Sequence, residues 1–157
     1  MIAQPDHSRD SINTTSLAQD WLTRLKANGY RLTTPRRVVV KTIASSDHVL
    51  NPFEVFELAR NDYPGLGLVT VYRTLEKLEE LNLIQRVHQP SGCQSFVVAH
   101  PGHAHILICD NCGRVDFFRE DPQGTNILME EVGGESGFKI TNHWLQFFGV
   151  CKDCQGG

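Results

Sequence analysis

Two short-spaced cysteine pairs, Cys109-x-x-Cys112 and Cys151-x-x-Cys154, are the residues of this 157-residue chain best arranged for chemistry. A two-residue gap turns both sulfurs of a pair toward one point. Two such pairs complete a tetrahedral four-thiolate site of the kind that suits structural zinc. The 38 residues between the pairs exceed those of a compact zinc ribbon, so a shared site would tie distant segments together. A redox dithiol and an iron–sulfur cluster are the alternatives. A redox motif of the thioredoxin kind uses one pair ahead of a helix, whereas each pair here follows a strand-like stretch.

Six of the seven histidines lie within the segment expected to fold: His48, His88, His100, His103, His105 and His143. His103 and His105 alternate on a strand that runs into Cys109, so both rings would project from one face. His143 precedes Cys151 by eight residues, on the stretch leading to the other half of the thiolate site. The cysteine staple should therefore bring His143 toward His103 and His105, with Asp116, Glu120 and Asp121 as acidic candidates for a fourth ligand. Cys93, in a hairpin turn, forms a second possible group with His88 and His100. Thiolate and imidazole ligands favour zinc over iron or manganese, which more often bring carboxylates. Taken singly, each histidine is as well read as a surface or hydrogen-bonded residue, and His48 has the least to recommend it as a ligand.

The elements that must position these groups follow from periodicity. Leu17, Trp21, Leu22 and Leu25 fall at helical spacing, with Gly29 as a stop. Thr33 or Thr34 caps a second helix with Pro35 in its first turn, and Asn51-Pro52 opens a third. A fourth helix, from about Val69 to Leu81, carries Val71, Leu75, Leu78 and Leu81 inward. The period then changes: LIQRVHQ, a turn at Pro90-Ser91-Gly92, and QSFVVAH read as a two-stranded hairpin. Four helices and a hairpin match a winged helix-turn-helix. After His100, HILIC and RVDFF pair around the first cysteine turn, a short helix covers about Asn126 to Val132, and Phe138 to Val150 reads as a last strand. The expected fold class is α+β: a winged-helix domain over 17–99 and a small α/β domain over 100–157 with the four-cysteine zinc site, preceded by a disordered tail over 1–16. The second domain is too small to bury much surface alone, so a metal staple and self-association would both help it.

Bulk composition narrows the function classes. No apolar run approaches the ~20 residues of a membrane-spanning helix, and the polar N-terminus lacks a signal peptide's basic start and apolar core. The expectation is a soluble, cytoplasmic protein whose five cysteines are thiols or ligands rather than disulfides. The net charge of −3 is unevenly spread: residues 21–46 hold six basic side chains and no acidic one. A local basic face steers toward phosphate even on an acidic chain, although a basic run is as often a solvated helix surface. Thr70, Tyr72, Arg73 and Thr74 crowd the first turns of the fourth helix, the part of a recognition helix that enters the major groove. There Arg73 could meet phosphate or guanine, Tyr72 a phosphate or a thymine methyl, and Thr70 a phosphate. No HExxH, H-x-E deaminase motif or glycine-rich phosphate loop points to an enzyme.

In order and spacing, RLTTPRRVVVKTI, GLGLVTVYRTLEKLEELNLI, HAHILICDNCGRVDFF and KITNHWLQFFGVCKDC resemble the ferric uptake regulator family, over about Trp21 to Cys154. The resemblance implies a homodimeric winged-helix repressor that binds palindromic double-stranded operator DNA when a regulatory metal is present. It implies DNA contacts from Arg31, Arg36, Tyr72 and Arg73, and structural zinc on Cys109, Cys112, Cys151 and Cys154. It also implies a metal site that includes His103, His105 and His143, whose usual acidic partner falls on Asn126. The family's sensing site between the domains would fall on Gln85, Ala99, Ala104 and Ile106, three of which cannot bind metal, while His48 matches a ligand of some members. Either Cys93, His88 and His100 rebuild a sensing site from other hairpin positions, or the histidine strand senses alone; the first is preferred. The reading that follows is a zinc-sensing regulator of zinc uptake genes, with no small organic substrate and no membrane partner. The alternatives are an iron-, manganese- or peroxide-responsive regulator of the same family, or a thiol switch at Cys93.

Overall fold

The computed structural model describes residues 14–88, 92, 94–100, 104–119 and 122–156. These divide into two compact units, the first ending at Ala99 and the second beginning at His100. Cys93, His103, Glu120 and Asp121, all named above as ligand candidates, lie outside the described residues.

The first unit is built from four helices, α1 (Thr14–Ala27), α2 (Thr34–Ala44), α3 (Pro52–Arg60) and α4 (Leu68–Glu80), and a hairpin, β1 (Ile84–His88) and β2 (Gln94–Val98). Its core gathers Trp21 and Leu25 from α1, Val39, Val40 and Ile43 from α2, Val55 and Ala59 from α3, and Val71, Leu75 and Leu78 from α4. The helix α1 begins three residues earlier than its apolar spacing suggests, taking Thr14, Thr15 and Ser16 from the expected tail into its first turn. Thr33 occupies the cap position of α2 without a side-chain cap bond. Asn51 caps α3 fully: its Oδ1 accepts from the N–H groups of Phe53 and Glu54, both at 2.9 Å, and Glu54 Oε2 accepts from Asn51 N–H at 2.7 Å.

The exit from α4 sets the hairpin. Asn82 adopts φ 54°, and the N–H groups of Asn82 and Leu83 donate to the carbonyls of Glu79 and Leu78, both at 2.9 Å. This left-handed closure turns the chain directly into β1. The hairpin is antiparallel in the register Arg86↔Phe96 and His88↔Gln94. Leu50 adds a bridge to Phe96 on the other side of β2.

The second unit holds β3 (His105–Cys109), β4 (Val115–Phe118), α5 (Pro122–Ser136), β5 (Gln146–Gly149) and a final turn of helix, α6 (Lys152–Gln155). β3 is the central strand, antiparallel to β4 and parallel to β5. Two expectations change. The helix runs for 15 residues rather than about seven, because Gly124, Gly133 and Gly134 break its apolar period without breaking the helix. The last strand is four residues long: Gly137, at φ 73°, closes α5, and the chain up to Leu145 stays irregular until it meets the edge of β3. His143 therefore precedes the strand rather than lying on it. Among the described residues, no helix is long and apolar enough to cross a membrane.

Candidate metal centre and nucleic-acid-binding helix

Parallel pairing of β3 with β5 builds the cysteine cluster. Cys109 is in register with Gly149, and Asp110 N–H donates to Gly149 carbonyl at 2.7 Å. The chain then leaves both strands at the same level, each into a turn bearing its second cysteine. In the first turn Cys109 N–H donates to Arg114 carbonyl and Gly113 N–H to Cys109 carbonyl, both at 2.9 Å. Gly113 sits at φ 73°, a conformation that a side chain would strain. In the second turn, Cys154 N–H donates to Cys151 carbonyl at 3.0 Å at the start of α6. Arg114 Nη1 and Asp153 Oδ2, 2.6 Å apart, bridge the two turns.

The four sulfurs lie within 4.8 Å of one another, the one such group of three or more ligand side chains among the described residues. A tetrahedral zinc with Zn–S bonds of about 2.3 Å requires sulfur–sulfur edges of about 3.8 Å, and Cys112 Sγ lies 3.8 Å from Cys151 Sγ. The protonation pattern fits a cation as well. Backbone N–H groups of Cys151 and Cys112 stabilise the Cys109 thiolate and lower its pKa to about 6; the N–H of Cys151 lies 3.3 Å from Cys109 Sγ. Hydrogen bonds with the Cys151 and Cys112 sulfurs push Cys154 up to about 12. At Cys112 the Arg114 N–H lowers the pKa, but burial and the Cys109 sulfur outweigh it and the net shift is upward. One thiolate forms readily at Cys109 while Cys112 and Cys154 resist, as expected of sulfurs crowded together. The four residues fit zinc.

The histidines part company. His105, at 1% exposure, lies in the sheet with its ring 5.2 Å from that of Phe118 and 5.2 Å from that of His143, so the imidazole pair expected from the sequence is brought together. Asn126 is exposed on α5. His100 stacks against Phe117 at 5.0 Å. His88 ends β1 on an exposed face, and His48 is exposed with Nδ1 2.6 Å from Asp47 Oδ1. Of the positions where the resemblance would seat a sensing site, Ile106 is wholly buried in the sheet, and Ala99 and Ala104 carry no donor atoms.

The helix α4 is two-sided. Val71, Thr74, Leu75 and Leu78 are buried, while Val69, Tyr72 and Arg73 face solvent. Thr74, grouped above with the outward residues, is instead in the core, its hydroxyl donating to Thr70 carbonyl at 2.7 Å. Thr70 is half-buried and Arg31 exposed; Arg36 is half-buried and donates through Nη1 to Arg31 carbonyl at 2.5 Å. One contact has no periodic signature in the sequence. Arg86 on β1 grips Glu79 on α4 through two bonds, of 3.0 and 2.7 Å, while its guanidinium lies 5.3 Å from the centre of the Phe96 ring. Opposite charges seven residues apart across a helix–strand break give no pattern that reading along the chain would detect.

The sequence profile of the Ferric uptake regulator family matches residues 27–148. The ferric uptake regulation protein of Bacillus subtilis is 34% identical over 142 residues, covering 85% of this chain and 91% of the relative. That of Campylobacter jejuni is 33% identical over 136 residues, 83% of each chain. Among solved structures, the Helicobacter pylori ferric uptake regulator matches with a TM-score of 0.65 at 27% identity, over 90% of this chain and 93% of that one. A zinc uptake regulator complexed with zinc and DNA matches with a TM-score of 0.67 at 25% identity, over 91% and 95%. With its α+β fold, four-cysteine cluster and two-sided fourth helix, the chain belongs to the ferric uptake regulator family of metal-responsive, DNA-binding transcriptional regulators.

Proposed function

We propose that the protein is a zinc-responsive repressor of zinc uptake genes, acting as a cytoplasmic homodimer on palindromic operator DNA. Residues 17–99 serve as the DNA-binding domain and 100–157 as the dimerisation and metal-binding domain. Cys109, Cys112, Cys151 and Cys154 hold a zinc ion that is permanent, because a closed four-thiolate site offers no open position. The observation that carries the sensing role is the His105–His143 ring pair at 5.2 Å, with His105 on β3 and His143 in the segment that leads into β5. With His103 it would offer a nitrogen-rich site, and Asn126 replaces the carboxylate that would suit iron or manganese. His88, Cys93 and His100 are proposed as a second sensing group, with His48 as an accessory. A regulatory metal adds charge neutralisation and ligand geometry. The protein's part is to hold its imidazoles differently in two arrangements, since metal shifts a population only by its difference in affinity between them.

On the DNA, Arg31 and Arg36 would meet phosphates beside α2, while Thr70, Tyr72 and Arg73 present the first turns of α4 to the major groove. The exposed apolar side chains of the second unit, among them Phe138, Trp144, Phe147 and Val150, supply a surface that a second copy would cover.

An iron- or peroxide-responsive regulator is the second reading, favoured by what the relatives are: iron regulators at 33 and 34% identity, and a peroxide-responsive repressor of Staphylococcus saprophyticus at 27% over 138 residues. Fluorescence anisotropy separates the two, using a duplex selected from random-sequence DNA. Submicromolar zinc should raise affinity at least tenfold, roughly the lower range of a usual allosteric coupling. If iron(II) or manganese(II) does so while zinc leaves affinity unchanged, the zinc assignment fails. Histidine oxidation by peroxide in the iron-loaded protein, read by mass spectrometry, would establish the second reading.

A further inference from the structure

Val69 is 62% exposed, more than any other large hydrophobic residue described in the first unit. It stands in the first turn of α4, where a β-branched residue is a poor helix former and gains little burial in the free chain. It also lies off the apolar stripe: Val71, Leu75 and Leu78 are fully buried, while Val69 shares its face with Tyr72 and Arg73, three and four residues on. Gly67, at the cap position with nothing within 4 Å of where a side chain would begin, leaves the approach to that face clear.

The 5-methyl of thymine is the one methyl group on the major-groove edge of the bases; the other groups that tell the base pairs apart there are hydrogen-bond donors and acceptors. A short, branched side chain in the first turns of a recognition helix has that group as its complement, and valine's stiff χ1 holds its methyls in place at little entropic cost. We infer that Val69 reads a thymine methyl in each operator half-site, setting base preference beside the polar contacts of Tyr72 and Arg73. The assignment rests on α4 being the helix that enters the groove, as in the function proposed above.

The test uses the full-length, zinc-loaded protein and its selected duplex, with each thymine replaced in turn by deoxyuridine, which removes only the 5-methyl group. One position per half-site should weaken wild-type binding about fourfold, the worth of a single buried methyl-sized group. V69A should lose about the same on the thymine duplex and nothing further at that uracil. Because the side chain is exposed, V69A and V69S should keep the wild-type melting curve and zinc content, which separates loss of reading from loss of fold. A uracil profile in V69A identical to that of the wild type overturns the inference, as does an affinity loss that no uracil position shares. Wild-type protein that selects no duplex with zinc, iron(II) or manganese(II) overturns the DNA-binding reading of α4 and this assignment with it, an outcome recognisable because it appears without any substitution.

Discussion

Four sulfurs within 4.8 Å of one another cannot all ionise without a cation between them, and their proton affinities carry a consequence for zinc binding. With Cys154 pushed up to about 12 and Cys112 also raised, both are thiols at neutral pH in the metal-free protein and must give up protons to become ligands. Zinc binding at pH 7 should therefore release at least two protons per ion. Titration calorimetry in buffers of different ionisation enthalpy measures this, and a value near zero would contradict the four-thiolate site. The sign is that of competition: apparent affinity falls as pH falls, and more steeply below about 6, where Cys109 begins to bind its own proton. Cys112→Ser should lower zinc content by one ion per chain and make the second unit the first to melt, read by metal analysis and thermal denaturation. The cysteine spacing made this site legible in the sequence, since two residues between sulfurs is a local geometric fact. His105 and His143 were legible as candidates, but the meeting of their rings depends on an irregular segment that no periodicity announces.

At the scale of elements, the junction of α4 with the hairpin decides how that helix and the two strands are held together. Asn82 pays for its left-handed φ of 54° less than most residues would, because Asn tolerates this region and glycine is freer still. Asn82→Ala should cost about 1 kcal/mol, whereas Asn82→Gly should cost nothing or stabilise slightly. Urea denaturation resolves the difference, and equal losses in the two variants would mean that the backbone angle is not the source. The Glu79–Arg86 pair and the Arg86–Phe96 contact add a second tie between α4 and the hairpin. Helix and strand periods placed these elements within a few residues, because burial of one face imposes the period. The periods failed at α5 and at residues 137–145: glycines dilute the apolar pattern of the helix, and strand pairing rather than local preference sets where β5 begins.

At the scale of the whole molecule, a net charge of −3 coexists with a segment of six basic residues and no acidic ones between 21 and 46. In the proposed function, binding to DNA through that segment should weaken steeply with salt, with a slope in log affinity of about −0.9 for each phosphate neutralised. Arg31→Ala should reduce that slope by about 1 while weakening all duplexes alike, because an exposed arginine near phosphate carries no base information. An Arg31 variant that keeps the full salt slope would place that residue off the DNA. Arg36 is a less clean probe, since its bond to the Arg31 carbonyl gives it a part in the local fold.

What the sequence determined by itself was whatever depends on neighbours along the chain: the reach of each cysteine pair, the helix start at Asn51-Pro52, the apolar stripe of α4 and the change from helical to strand period. Those features suffice for the α+β class and for a family resemblance that the profile match over residues 27–148 bears out. Tertiary structure alone decided what depends on residues far apart. Parallel pairing of β3 with β5 sets Cys109 level with Gly149 and so makes two cysteine pairs into one cluster. Packing of α4 against the core turned Thr74 inward and left Val69 outside. The physical reason is the same in each case: local spacing fixes which atoms can face one way, but only burial and strand register select what they face.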